Sequence, residues 1–206
     1  MGKSRDIRFV NRVFTQDEQK RILNSANPDT MLWALWTGKE AAYKVVSKSH
    51  PVISSAPHAY KVNFEGEGIA ELDSNSSRRY NFSGVVETPC GLIPVRIFQT
   101  CDSIHCIGTT GASEAIDSVA WGVRRIGRGL RVTPHLKSFI VRKAARRHLS
   151  LYLNRDPDEI EIHRLKGPRG LGPPIVYVKD QETGVDISLS HEGDFVAYAF
   201  VTGFSF

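Results

Sequence analysis

The spacing of apolar residues changes period along the chain. Residues 5 to 24 follow a helical pattern, with Thr15 as an N-cap and Glu18 three positions later ahead of Ile22 and Leu23, which is the arrangement of a capping box. Asn27-Pro28-Asp29 marks a turn. Asp29 or Thr30 then caps a second helix that runs through Met31, Leu32, Leu35, Trp36, Ala42 and Val46 to about Lys48. From Pro51 to about Gly111 the period drops to two, as in Tyr60-Lys61-Val62-Asn63-Phe64 and Ile93-Pro94-Val95-Arg96-Ile97-Phe98, with Gly, Pro, Ser and Asn between the runs. This stretch is β-rich and holds no repeated unit. A third helix is expected from Lys137 to Leu153, with Phe139, Ile140, Ala144, Leu149 and Leu153 as its apolar stripe, a basic opposite face, and Asp156-Pro157 as its stop. Strand patterns follow at Glu159–Ile162, Ile175–Val178, Asp186–Leu189 and Phe195–Val201. Helices and strands do not alternate regularly, so the pattern predicts an α+β fold with an antiparallel or mixed sheet.

Length and composition narrow the class. The 206 residues suit a single domain, 1–206, with a β-rich insertion at about 52–136. Hydrophobic residues make up 41% and charged residues 24%, and no apolar run approaches the roughly 20 residues needed to span a bilayer. The opening Met1-Gly2-Lys3-Ser4-Arg5-Asp6 lacks the apolar core of a secretory signal, so a cytoplasmic location is expected. Cys90, Cys101 and Cys106 fit neither a disulfide set nor a zinc motif and read as reduced thiols in a buried β region. The net charge of +5 and pI of about 9.2 favour anionic partners. Basic residues concentrate in Arg142, Lys143, Arg146, Arg147 and His148, and around Arg124, Arg125, Arg128 and Arg131.

Chemistry concentrates on the second helix. Glu40 and Lys44 lie one turn apart, so a carboxylate and an ammonium project from one face, with Trp33 and Trp36 on that side in the preceding turns. A lone Glu-x-x-x-Lys pair is most often a surface ion pair. The full string Trp36-Thr37-Gly38-Lys39-Glu40-Ala41-Ala42-Tyr43-Lys44 is more specific, and Gly38 shows that helix propensity is not what it optimises.

This string resembles the second signature of the phosphopantetheinyl transferase family, of the holo-acyl-carrier-protein synthase type. Arg12–Glu18 looks like the helix opening that precedes that signature. Asp158–Ile162 with Gly172-Pro173-Pro174 is similar to the family's late hairpin, and Asp186–Glu192 running into Phe195–Val201 resembles its closing strand pair with a Ser-His turn. The likeness covers 8–48 and roughly 138–201. It implies transfer of 4'-phosphopantetheine from coenzyme A to a serine of a carrier protein, with magnesium as cofactor. The roles it implies are Glu40 as metal ligand or as a base acting through water, Lys44 on the pyrophosphate, Lys39 as a conformational or peripheral phosphate contact, and Ser190 and His191 on the nucleotide. The basic third helix, through Arg142, Arg146 and Arg147, is expected to steer an acidic acyl or peptidyl carrier protein.

The family's first signature, a Gly-x-Asp strand that supplies a metal ligand, has no counterpart upstream of Arg12. Asp6 does not fit it, and an N-terminus shortened relative to the family is the expectation. Short family members form homotrimers and longer ones fuse two core copies; here one signature helix and no second copy are read, so a homotrimer is compatible. The other histidines show no metal-ligand spacing, and Gly167–Gly172 reads as a hairpin loop and not a phosphate cradle. Competing readings are a basic nucleic-acid-binding module, which lacks a recognisable motif, and a non-catalytic relative of the transferase.

Overall fold

The computed structural model describes residues 2–64, 80–127, 132–167 and 170–202. The chain forms two compact units, Met1–Asp117 and Ser118–Phe206. It is α+β, and its sheets are antiparallel.

The first unit opens with α1 (Ile7–Val13), α2 (Gln16–Asn24) and α3 (Pro28–Ser49). Thr15 caps α2 with the expected capping box, Glu18 returning to the Thr15 N–H. The cap of α3 is Asn27, not Asp29 or Thr30: its side chain accepts from Thr30 N–H, and Pro28 takes the first helical position, where a missing N–H costs nothing. Four strands follow, β1 (Lys61–Phe64), β2 (Tyr80–Thr88), β3 (Gly91–Gln99) and β4 (Ile104–Gly108), paired in chain order. On α3 the positions Met31, Leu35, Gly38, Ala42 and Val46 are buried, spaced by three or four residues as one helix face requires. They share a core with Phe14, Ile22, Tyr60, Val62, Val86, Ile93 and Val95.

β1 is an edge strand, and α2 covers its edge. The Glu18 carboxylate accepts from Val62 N–H at 3.1 Å, and Arg21 donates to Val62 C=O at 2.8 Å. Backbone groups that would otherwise invite another strand are thereby satisfied.

The second unit holds β5 (Ala120–Arg125), α4 (Pro134–Leu153), β6 (Ile160–Gly167), β7 (Gly170–Val178), β8 (Gln181–Glu182), β9 (Asp186–Glu192) and β10 (Phe195–Val201). Two three-stranded sheets result, β5-β10-β9 and β6-β7-β8. The stretch expected as an insertion is thus shared out: β1–β4 supply the sheet of the first unit, while β5 pairs with β10 in the second. Gly122 is the register partner of Tyr198, and a Cβ there would lie 2.6 Å from the tyrosine hydroxyl, which hydrogen-bonds His148 Nδ1 on α4.

Helix α4 starts three residues earlier than expected, after Thr133, and ends at Asn154 in the left-handed conformation (φ 48°), ahead of the predicted stop. Its buried face is Val141, Ala145 and Leu149, with Leu153 packed on the same core, so the expected stripe holds at Leu149 and Leu153 but not at Phe139, Ile140 and Ala144. Phe139 is 57% exposed. The basic residues Arg128 and Arg131 and the loop residues Pro168 and Arg169 lie outside the described residues. Cys90 and Cys101 are exposed rather than buried; only Cys106 sits within the sheet, where burial pushes its thiol well above the ordinary value.

Candidate functional site

The signature string occupies the middle of α3 and splits into an inward and an outward half. Gly38 lets the helix approach β1 closely, since a Cβ would lie 3.2 Å and 3.3 Å from the two Val62 methyls. Trp36 packs edge-on against Phe9 with ring centroids 5.8 Å apart, and Tyr43 does the same against Tyr60 at 5.9 Å. Glu40 and Lys44 remain half-buried, one turn apart. Among the described residues the Glu40 carboxylate has no hydrogen bond or ion pair of its own. His105 on β4 senses the same helix face: burial, and secondarily the Lys44 charge, push its pKa down to about 4, and its Nε2 is shut off from solvent. It is neutral near pH 7. His105 was given no role by spacing arguments, because its nearness to Lys44 comes from the packing of α3 on the sheet and not from sequence.

Lys39 is the inward half. Its side chain is 2% exposed and lies 2.8 Å from a Glu18 carboxylate oxygen. Its ammonium also donates to Pro57 C=O at 3.1 Å and to Tyr60 C=O. An ammonium has three N–H bonds, so every donor is engaged inside the unit and none is left for a phosphate. Burial pulls the Lys39 pKa below the usual lysine value, with the Glu18 hydrogen bond and charge opposing that shift. The 100° rotation between successive helix residues sends Lys39 into the core while Glu40 faces outward.

The remaining expected site residues lie in the second unit. Ser190 and His191 are on strand β9 and not in the turn, which falls at Gly193 with φ 50°. They pair with Ala197 and Val196, and as neighbours on a strand they project to opposite faces. Arg142 donates to Ile162 C=O at 3.1 Å and to Ser138. Arg146 donates to Pro157 C=O at 2.8 Å through Nε and to Asp158 at 3.1 Å through Nη2. Both guanidinium groups hold α4 to the turn and strand that follow it. Arg147 is exposed, as is Lys143, and among the described residues neither side chain has a hydrogen bond or ion pair.

Among the described residues no three His, Cys, Asp or Glu side chains gather as a metal site. Glu40 nevertheless fits magnesium in the manner of that ion at phosphates, where one or two protein carboxylates suffice and phosphate oxygens and water complete the octahedron. Among the described residues no helix is long and apolar enough to cross a membrane.

Helix α3 thus presents Glu40 and Lys44 one turn apart, buries Lys39 and follows a capping-box helix. Residues 2–82, which include the signature string, match the family model of the 4'-phosphopantetheinyl transferase superfamily. The match ends at residue 82, and the likeness of 138–201 to the family's closing strands lies beyond it. No curated protein matches the chain, and no solved structure does.

Proposed function

We propose that the chain transfers 4'-phosphopantetheine from coenzyme A to a serine of an acyl or peptidyl carrier protein, with magnesium, releasing adenosine 3',5'-bisphosphate. The observation that carries this reading is the Glu40 carboxylate, without a partner among the described residues and one turn from Lys44, inside the segment that matches the superfamily. The serine Oγ forms a bond to the phosphorus attached to pantetheine, and the bond from that phosphorus to the bridging oxygen of the pyrophosphate breaks. Glu40 would hold the metal ion, which when bound neutralises charge on the phosphates. Through a water, the same carboxylate accepts the serine proton. Lys44 contacts the pyrophosphate as a point charge. Of Ser190 and His191, only one side chain at a time can face a ligand, and His191 is the exposed one.

The docking face for an acidic carrier protein is the outer side of α4. Phe139, Lys143, Arg147 and Leu151 follow one another at four-residue spacing, all exposed, with two cations between two apolar side chains. Apolar flanks suit a protein surface better than a bare phosphate. Arg142 and Arg146, engaged internally, act by holding this helix in place.

Mass spectrometry of an apo-carrier protein incubated with the chain, coenzyme A and magnesium tests the reading, with Glu40→Gln alongside. The expected outcome is a gain of one phosphopantetheine arm with the wild-type chain and a loss of at least a hundred-fold in rate with the variant. No gain with any acidic carrier would favour a non-catalytic relative.

A further inference from the structure

The buried Glu18–Lys39 pair has a geometry that neither charge needs for its own sake. One Glu18 oxygen accepts from Thr15 N–H at 2.9 Å and meets Lys39 at 2.8 Å, and the other accepts from Val62 N–H at 3.1 Å. Lys39 continues to Pro57 C=O and Tyr60 C=O. The start of α2, the middle of α3, the 3-10 turn Pro57–Ala59 and strand β1 therefore meet at two side chains. Gly38 faces Val62 from the helix side, where a Cβ would lie 3.2 Å and 3.3 Å from its methyls. A rotation of α3 by one residue would break the three bonds that Lys39 makes, to Glu18, Pro57 C=O and Tyr60 C=O.

We propose that Glu18 and Lys39 are positioning residues for Glu40, a clamp that fixes the rotation and height of α3 so that the next residue presents its carboxylate at the reactive face. The second unit supplies an independent observation. There, too, long basic side chains run from mid-helix to the proline opening a 3-10 turn and to the strand after it: Arg146 to Pro157 C=O, and Arg142 to Ile162 C=O. The residue that follows Arg142 is Lys143, not an acid, so the clamp occurs without the carboxylate and its job is to hold the helix. In the first unit the same device carries Glu40 on the adjacent residue. This assignment rests on the proposed site, but the clamp can be tested apart from it.

Three variants separate positioning from plain stability: Glu18→Gln, Lys39→Met, and the two combined. Each single variant leaves one buried partner without its counterpart and should melt well below the wild type. The double variant removes both charges and should melt above either single variant, though below the wild type because the Pro57 and Tyr60 carbonyls lose their donor, yet transfer phosphopantetheine at least ten-fold more slowly at saturating substrates, because a displacement near 1 Å is enough to cost about that much or more. Its crystal structure should show the Glu40 carboxylate moved relative to β1. Should the double variant fold poorly, Lys39→Arg, which keeps the charge but not the three-bond geometry, is expected to show the same loss in kcat with a near-native melting temperature. A wild-type kcat with Glu40 unmoved in either variant would overturn the clamp. Absence of transfer by the wild type would defeat the functional reading alone, and the crystallographic position of Glu40 would then decide the clamp by itself.

Discussion

At the scale of single residues, the structure separates side chains that the signature lists together. Lys39, Glu40 and Lys44 are nearly adjacent in sequence, yet Lys39 is sealed in the core while Glu40 and Lys44 are half-buried at the surface. Periodicity made the split between Lys39 and Glu40 legible, since 100° per residue cannot keep both on one face. Which of them faced inward was not legible, because that depends on Glu18 arriving from another helix. His105 was equally hidden, and it carries a prediction. A histidine whose folded pKa is depressed binds its proton more readily when unfolded, so it lowers stability as pH falls from about 6.5, with the loss levelling off near pH 4. Denaturant midpoints measured between pH 7 and pH 4 should therefore fall in the wild type, by up to about 3 kcal/mol of stability, and fall less in His105→Leu. Asp6 and Asp29, both held below the ordinary carboxylate value by hydrogen bonds, contribute their own loss only at lower pH. Parallel slopes in the two proteins over this window would show that His105 is not buried in neutral form.

At the scale of elements, propensity and packing pull in opposite directions on α3. Gly38 in a helix interior costs about 1 kcal/mol against Ala, and a surface glycine there would be improved by replacement. Here the added methyl would press on Val62, which is 1% exposed and held on both backbone groups by Glu18 and Arg21. Overpacking of a core that cannot yield costs about 1–3 kcal/mol, so Gly38→Ala should destabilise by about 1 kcal/mol net, read as a lower denaturant midpoint. A stabilised Gly38→Ala would mean that β1 moves freely away from the helix. The same contest explains which elements the pattern revealed. The capping box of α2 and the strands at Tyr60–Phe64, Ile93–Phe98 and Phe195–Val201 are local signals and appear where expected. The phase of α4 is not local. Its stripe is chosen by the sheet it meets, so Val141 and Ala145 turn inward and Phe139 stays out, one residue away from the apolar arc that the sequence suggests.

At the scale of the whole molecule, charge is divided as the structure is. Residues 1–117 carry thirteen Lys and Arg against thirteen Asp and Glu, whereas residues 118–206 carry fourteen against nine, so the entire net charge of +5 belongs to the second unit. Under the proposed transfer, a charge-balanced first unit and a cationic face on α4 would make capture of the carrier protein and reaction with coenzyme A respond differently to salt. Long-range attraction between a basic unit and an acidic partner is screened within about 8–10 Å at ordinary ionic strength. The KM for carrier protein should accordingly rise steeply between 50 and 300 mM salt, taken as roughly the range over which that screening sets in, while the KM for coenzyme A changes less. Reversing these two exposed cations, in Lys143→Glu with Arg147→Glu, should raise the KM for carrier protein about ten-fold or more and flatten its salt dependence. Reversing Arg142 and Arg146 instead should lower the melting temperature, because their carbonyl acceptors at Ile162 and Pro157 lose their donors. Equal increases in KM for both substrates after the Lys143 and Arg147 reversal would assign the face to the phosphates of coenzyme A. A carrier KM untouched by it would move the docking surface off α4 altogether.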